Sequence, residues 1–233
     1  MKIRSRKSTL WQVMVCGVLI DLALIGLSLV WYPSLLNGGR AVTMAVCLLL
    51  LLLYGCLGVA LPLRASPIVM TALWAGMVFG LLIGVVFIVD IIVEDFIDLG
   101  SQASTFSTLG FMFFIFLLFA GAGTYGTYKT GQFRLGLLAS IWSAMLGVLI
   151  VVLVGFTLSF LFMQRMEYIL ASDYLQSGMS NRQAFTFFNA LDSASTHLLE
   201  APILATVFGS LGGLLMKSLN VLRGRHSLSA KGN

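Results

Sequence analysis

Six times along this chain an apolar run of some 20 residues passes almost without charge, and no other feature limits the possible folds so strongly. The runs cover about 10–31, 41–61, 68–90, 106–126, 135–163 and 202–222. Roughly 20 apolar residues in a helix cross the hydrocarbon of a bilayer. Inside it every backbone N–H and C=O must be satisfied within the protein, which selects helices for runs of this kind. Charged residues are 10% of the sequence, against about 25% in soluble domains. The expected fold is therefore an all-α integral membrane protein with six spanning helices in one membrane domain (10–222). A basic segment (1–9) precedes it and a basic tail (223–233), expected to be disordered, follows.

The first run follows Met1–Thr9 and resembles a signal peptide, but it is too long for an h-region and Asp21 interrupts it. Trp31, Tyr32 and Pro33 stand where small residues would mark cleavage, so a retained first span is expected. Cys16, Cys47 and Cys56 fall within runs, form no CxxC pair and read as small apolar residues. The net charge of +5 is topological, since no basic-aromatic cluster suits nucleic acid. With the N-terminus inside, Lys2, Arg4, Arg6, Lys7, Arg64, Lys129, Arg134, Lys217, Arg223, Arg225 and Lys231 are cytoplasmic. Only Arg40, Arg165 and Arg182 are then external. That asymmetry predicts both termini in the cytoplasm of a plasma (inner) membrane protein.

The odd runs share a Trp and Met near their cytoplasmic ends: Trp11 and Met14, Trp74 and Met77, Trp142 and Met145. The even runs carry glycines at the same end, such as Gly58, Gly126 and Gly212. This pattern predicts three tandem helical hairpins in parallel orientation. Between the fifth and sixth runs, Ala184, Phe187, Phe188, Leu191, Ala194 and Leu198 recur at helical spacing. An outer amphipathic surface helix before the sixth span is expected there, with a lid over a vestibule as the other reading.

The stretch from Ala72 to Asp98 is the most ordered in pattern. Ala72, Gly76, Gly80 and Gly84 lie four apart, and the same face continues through Asp90, Glu94 and Asp98. The small residues predict close helix packing, as do Ala144 and Gly155 in the fifth run, with a pathway lined by bare backbone as the alternative. The carboxylates suit a helix end in water, a mouth that concentrates cations, or a cation site. Asp21 falls near the bilayer midplane, where an ionised carboxylate costs about 2.5–3.5 kcal/mol. It can be met by protonation, by a hydroxyl such as Ser143, Ser210 or Tyr54, or by a proton or cation in a polar cavity.

No HExxH, GxSxG or Walker A pattern occurs, so no enzyme, cofactor or metal centre is expected. His197 and Glu200 share a helix face, but two ligands do not make a zinc site. The expected activity is that of a small secondary transporter or ion-conducting protein, using Asp21, Asp90, Glu94 and Asp98. The alternative is a non-transporting membrane subunit that pairs with another membrane protein or with itself. The expected partners are the lipid bilayer and, on that alternative, another membrane protein or a second copy of the chain, with no nucleic acid.

Overall fold

A computed structural model describes residues 2–97 and 100–229. Asp98, a member of the acidic ladder, lies outside the described residues. The chain forms helices α1 (Lys2–Trp31), α2 (Gly39–Arg64), α3 (Pro67–Phe96), α4 (Ser101–Thr130), α5 (Phe133–Leu161), α6 (Met163–Ile169), α7 (Ala171–Ser177) and α8 (Arg182–Ser229). A 3-10 turn, Pro33–Leu36, joins α1 to α2. Six of them, α1 to α5 and α8, are long and apolar enough to cross a membrane. Their outward faces carry exposed Leu, Val, Ile and Phe such as Val30, Leu49, Phe113 and Leu215. Such a surface is at home in lipid and would aggregate in water.

Local chemistry sets the helix ends. Ser66 caps α3 by accepting from Val69 N, and Pro67 takes the first helical position, where its missing N–H costs nothing. Asn181 does the same for α8, its Oδ1 accepting from Ala184 N at 2.9 Å. At the end of α2, Lys7 Nζ donates to Leu63 O, one of the carbonyls that a helix terminus leaves without an intrahelical donor.

Helix α5 is the axis of the bundle, buried along most of its length from Gly136 to Ser159, with α3, α4, α8 and α1 around it. The glycine ladder of α3 makes that closeness possible. A methyl group on Gly76 would stand 2.5 Å from Ala139 O, one on Gly80 2.8 Å from Ser143 O, and one on Gly84 2.5 Å from Ile150 Cδ1. Ala72 is buried in the same seam beside Ala139, and Ala144 is fully buried in α5. In a bilayer the gain from such contact is van der Waals packing rather than burial from water. A second close junction joins α4, α5 and α8. There Gly123 meets Gly209 O, Gly126 meets Gly136 and Gly212 meets Ala120 O. Ser140 Oγ sits between Phe119 O (3.0 Å) and Ala205 O (2.9 Å) and has one proton to give to either.

Three readings of the sequence need correction. The apolar stripe at 184–198 is not a separate surface helix: it is the first part of α8, which runs unbroken from Arg182 through Pro202. Ala184, Phe187, Leu191, Ala194 and Leu198 are buried within the bundle. Periodicity reports an apolar face but not what covers it. Pro202, taken as a helix start, lies inside α8 because its missing bond is replaced: Leu198 O, four residues back, accepts from Tyr54 Oη at 2.7 Å. At the other end α8 continues into the segment read as a disordered tail, as far as Ser229, since each added residue extends an existing ladder at little cost.

Candidate functional site

At the end of the bundle that carries α6 and α7 there is a cavity of about 410 Å³ bounded by α3, α4, α5, α6 and α8. It begins where the α3–α5 seam ends. Above Gly84 the same face of α3 presents Phe87, Asp90, Ile91 and Glu94 to the cavity. Opposite, α5 contributes Val151, Val152, Gly155, Leu158 and Ser159. Gly155 was assigned to helix packing, but a methyl there would meet nothing within 4 Å. Its bare backbone belongs to the cavity wall instead.

The acidic side is built by α3 and α4. Thr108 Oγ1 lies within hydrogen-bond reach of Glu94 Oε1 and Ser104 O and has one proton to give to either; given to Glu94, it orients that carboxylate from α4. Asp90 is half-buried, and its Oδ1 has no hydrogen-bond partner. Asp95 completes a set of three carboxylates on the wall, and no lysine or arginine stands among the lining residues. The field inside is therefore negative in a partly desolvated site, with Arg165 just outside the wall offsetting Asp95.

Helix α6 forms the roof with Met166 and Ile169. Two arginines hold it: Arg165 Nε donates to Asp95 O at 2.9 Å, and Arg182 Nη2 donates to Glu167 O at 2.6 Å. Phe96 against Phe162 (5.2 Å, edge to face) ties the end of α3 to the same corner. Neither arginine lines the cavity, but the Arg165 guanidinium also acts on the Asp95 carboxylate, and the Nε of Arg182 has no hydrogen-bond partner.

Helix α8 adds to His197 three residues that spacing had not singled out. Thr186, Asn189, Ser193 and His197 all line the cavity. They recur at intervals of three, four and four, a polar stripe running beside the apolar one that packs the core. That stripe was the available signal; it is legible only once 182–201 is known to be part of a bundle helix. His197 packs its ring on Phe87 (5.7 Å between centroids). Glu200, paired with His197 on spacing, does not line the cavity.

Asp21 sits elsewhere. It lies on the buried face of α1 with Leu10, Met14, Val18, Ile25 and Ser28, is 0% exposed, and faces the α2 side, where it interacts with Cys47. Neither carboxyl oxygen has a hydrogen-bond partner. Two hydroxyls considered for it are used elsewhere: Tyr54 donates to Leu198 O and Ser143 to Ser140 O. It is not on the cavity wall, so the structure does not join the midplane acid to the acidic ladder.

Among the described residues no group of three or more His, Cys, Asp or Glu is placed to hold a metal ion. The arrangement can bind a positively charged solute by charge and hydrogen bonds, beside an apolar wall that excludes water from part of it. Comparison with protein-family models, with curated proteins and with solved structures finds no match for this chain.

Proposed function

We propose that this protein is a small secondary transporter or ion-conducting membrane protein whose cavity admits a cation from the outer side. The observation that carries the reading is the cavity itself, with Asp90, Glu94 and Asp95 on its wall, no lysine or arginine lining it, and Arg165 outside it acting on Asp95. The positive-inside asymmetry supports placing both termini in the cytoplasm and the α6–α7 end outside. The Trp and Met positions at 11 and 14, 74 and 77, and 142 and 145 support an assembly from three hairpin repeats. On this reading Asp90 and Glu94 meet the solute first, and Asp21 acts only in a conformation that opens the α1–α2 side.

The alternative of a non-transporting subunit drew on the glycine ladder and on Asp21. Both are turned inward: the glycines lie against α5 and the Asp21 carboxyl is inaccessible from the surface. Neither is free to recruit a partner helix, which favours transport.

The test is flux into proteoliposomes containing the purified chain, with protons, inorganic cations and organic cations in turn. A flux that falls about tenfold or more in the double variant Asp90→Asn, Glu94→Gln supports the proposal, since each lost charge-assisted contact is worth about 1.5–3 kcal/mol. No flux for any of them sinks it. A reporter fused after Lys231 and found outside would overturn the orientation.

A further inference from the structure

The cavity also points to a class of solute. We infer that it takes a protonated primary or secondary amine carrying an apolar body, an inference that rests on reading the cavity as a cation site.

Size is the first argument. A volume of about 410 Å³ falls within the roughly 300–1,000 Å³ of small-molecule pockets and far exceeds the needs of a bare ion. Among the described residues no group of three or more His, Cys, Asp or Glu is placed to hold a metal ion.

The division of the wall is the second. Asp90 and Glu94 stand on the acidic side, Glu94 within hydrogen-bond reach of Thr108. Val151, Val152 and Leu158 of α5 and Ile169 of α6 make an apolar surface in the same cavity. A molecule that satisfies both has a charged end and an apolar end. An inorganic cation would leave the apolar part unfilled, and a neutral apolar molecule would leave the carboxylates without a partner.

The form of the charge is the third. Asp90 Oδ1 has no partner, and Asn189 and His197 make no hydrogen bond with the described residues while lining the same space. Each can accept from an N–H, and an ammonium offers two or three in different directions. A quaternary ammonium has none and is instead recognised by a cage of aromatic rings. Here Phe87 is the one Phe, Tyr or Trp on the described wall. An amino-acid zwitterion or an organic anion is disfavoured because no lysine or arginine lines the cavity to meet its carboxylate.

Calorimetric titration of the full chain in lipid nanodiscs tests this with four probes: phenethylamine, phenethyl alcohol, N,N,N-trimethylphenethylammonium and ammonium chloride. Phenethylamine should bind about tenfold or more tightly than each of the others. Asp90→Asn should weaken it by a similar factor, while Asp192→Asn, an exposed acid of α8 outside the cavity, should leave it unchanged. Equal binding of the alcohol or the quaternary analogue overturns the inference. It needs no variant to fold, because all four probes meet the same protein. Failure of phenethylamine to bind, with an inorganic cation flux that still depends on Asp90 and Glu94, overturns the amine assignment and leaves the cation site standing. Failure of both removes the cavity from the functional reading.

Discussion

Tyr54→Phe is a small change with a calculable consequence. Tyr54 is buried, and its hydroxyl donates to Leu198 O at 2.7 Å. That carbonyl belongs to a helix in which residue 202 is proline, so the usual i+4 donor does not exist. Removing the hydroxyl keeps the ring and its packing but leaves a buried acceptor without its side-chain donor. Such a loss costs about 1–3 kcal/mol in proteins generally, while interhelical hydrogen bonds in membranes average ~0.6 and reach about 1.7 kcal/mol. With no helical bond to fall back on, the upper part of the membrane range applies, about 1.5 kcal/mol, or roughly tenfold in the folded-to-unfolded ratio. The same substitution in a Pro202→Ala background should cost less than about 0.5 kcal/mol, because the alanine introduced there would supply the N–H that Leu198 O lacks. Equilibrium unfolding by SDS in mixed micelles, followed by circular dichroism, measures all four corners of the cycle. A coupling near 1 kcal/mol is expected, on the order of ordinary contact pairs. Equal costs in both backgrounds would show that Tyr54 matters for some reason other than the proline gap.

Three further outcomes follow from the packing and electrostatics. Gly80→Ala places a methyl 2.8 Å from Ser143 O and 2.9 Å from Leu146 Cβ, so it should destabilise by about 1–3 kcal/mol. Gly155→Ala, with nothing in reach, should stay within about 0.5 kcal/mol; thermal melts in detergent that rank the two alike would refute the seam described for α3 and α5. Asp21→Val removes a buried carboxyl with no partner and should leave the protein equally or more stable, by up to about 2 kcal/mol. A clear loss of stability would mean that Asp21 has a partner the structure does not show. At the α6–α7 end, burial and then the Glu167 carboxylate push the Tyr32 phenol above its ordinary pKa of 10.0. Its neutral form donates to Gln183 Oε1 at 3.0 Å. Because the folded-state value is the higher one, its contribution is present below the unfolded-state pKa and is lost as pH rises through the folded-state pKa. Tyr32→Phe should flatten that alkaline decline in unfolding titrations, and an unchanged slope would assign it to other groups.

How much was legible varies by element. The five runs from 10 to 163 correspond to α1–α5 because hydropathy over some 20 residues reports directly on a helix that must satisfy its own backbone in lipid. The sixth was drawn to begin at 202 since proline usually starts or breaks a helix, and no local rule announces that a tyrosine on α2 will stand in for the missing N–H. The stripe at 184–198 was seen as amphipathic but given the wrong cover. Of the site, Asp90, Glu94 and His197 were visible as chemistry, whereas Asn189, Ser193 and Thr186 were not.

Order of residues alone determined that this chain makes membrane-length helices, roughly where the second to fifth begin, and which face of α3 is bare and which end is acidic. Those properties depend on spacing along one helix, and a helix has a known pitch. Only the tertiary structure decided that the bare face is sealed by α5 while the acidic end stands open, and that Asp21 and Asp90 belong to different places. Contacts between segments far apart in the chain depend on which surfaces fit one another, and no period within a single segment records that fit.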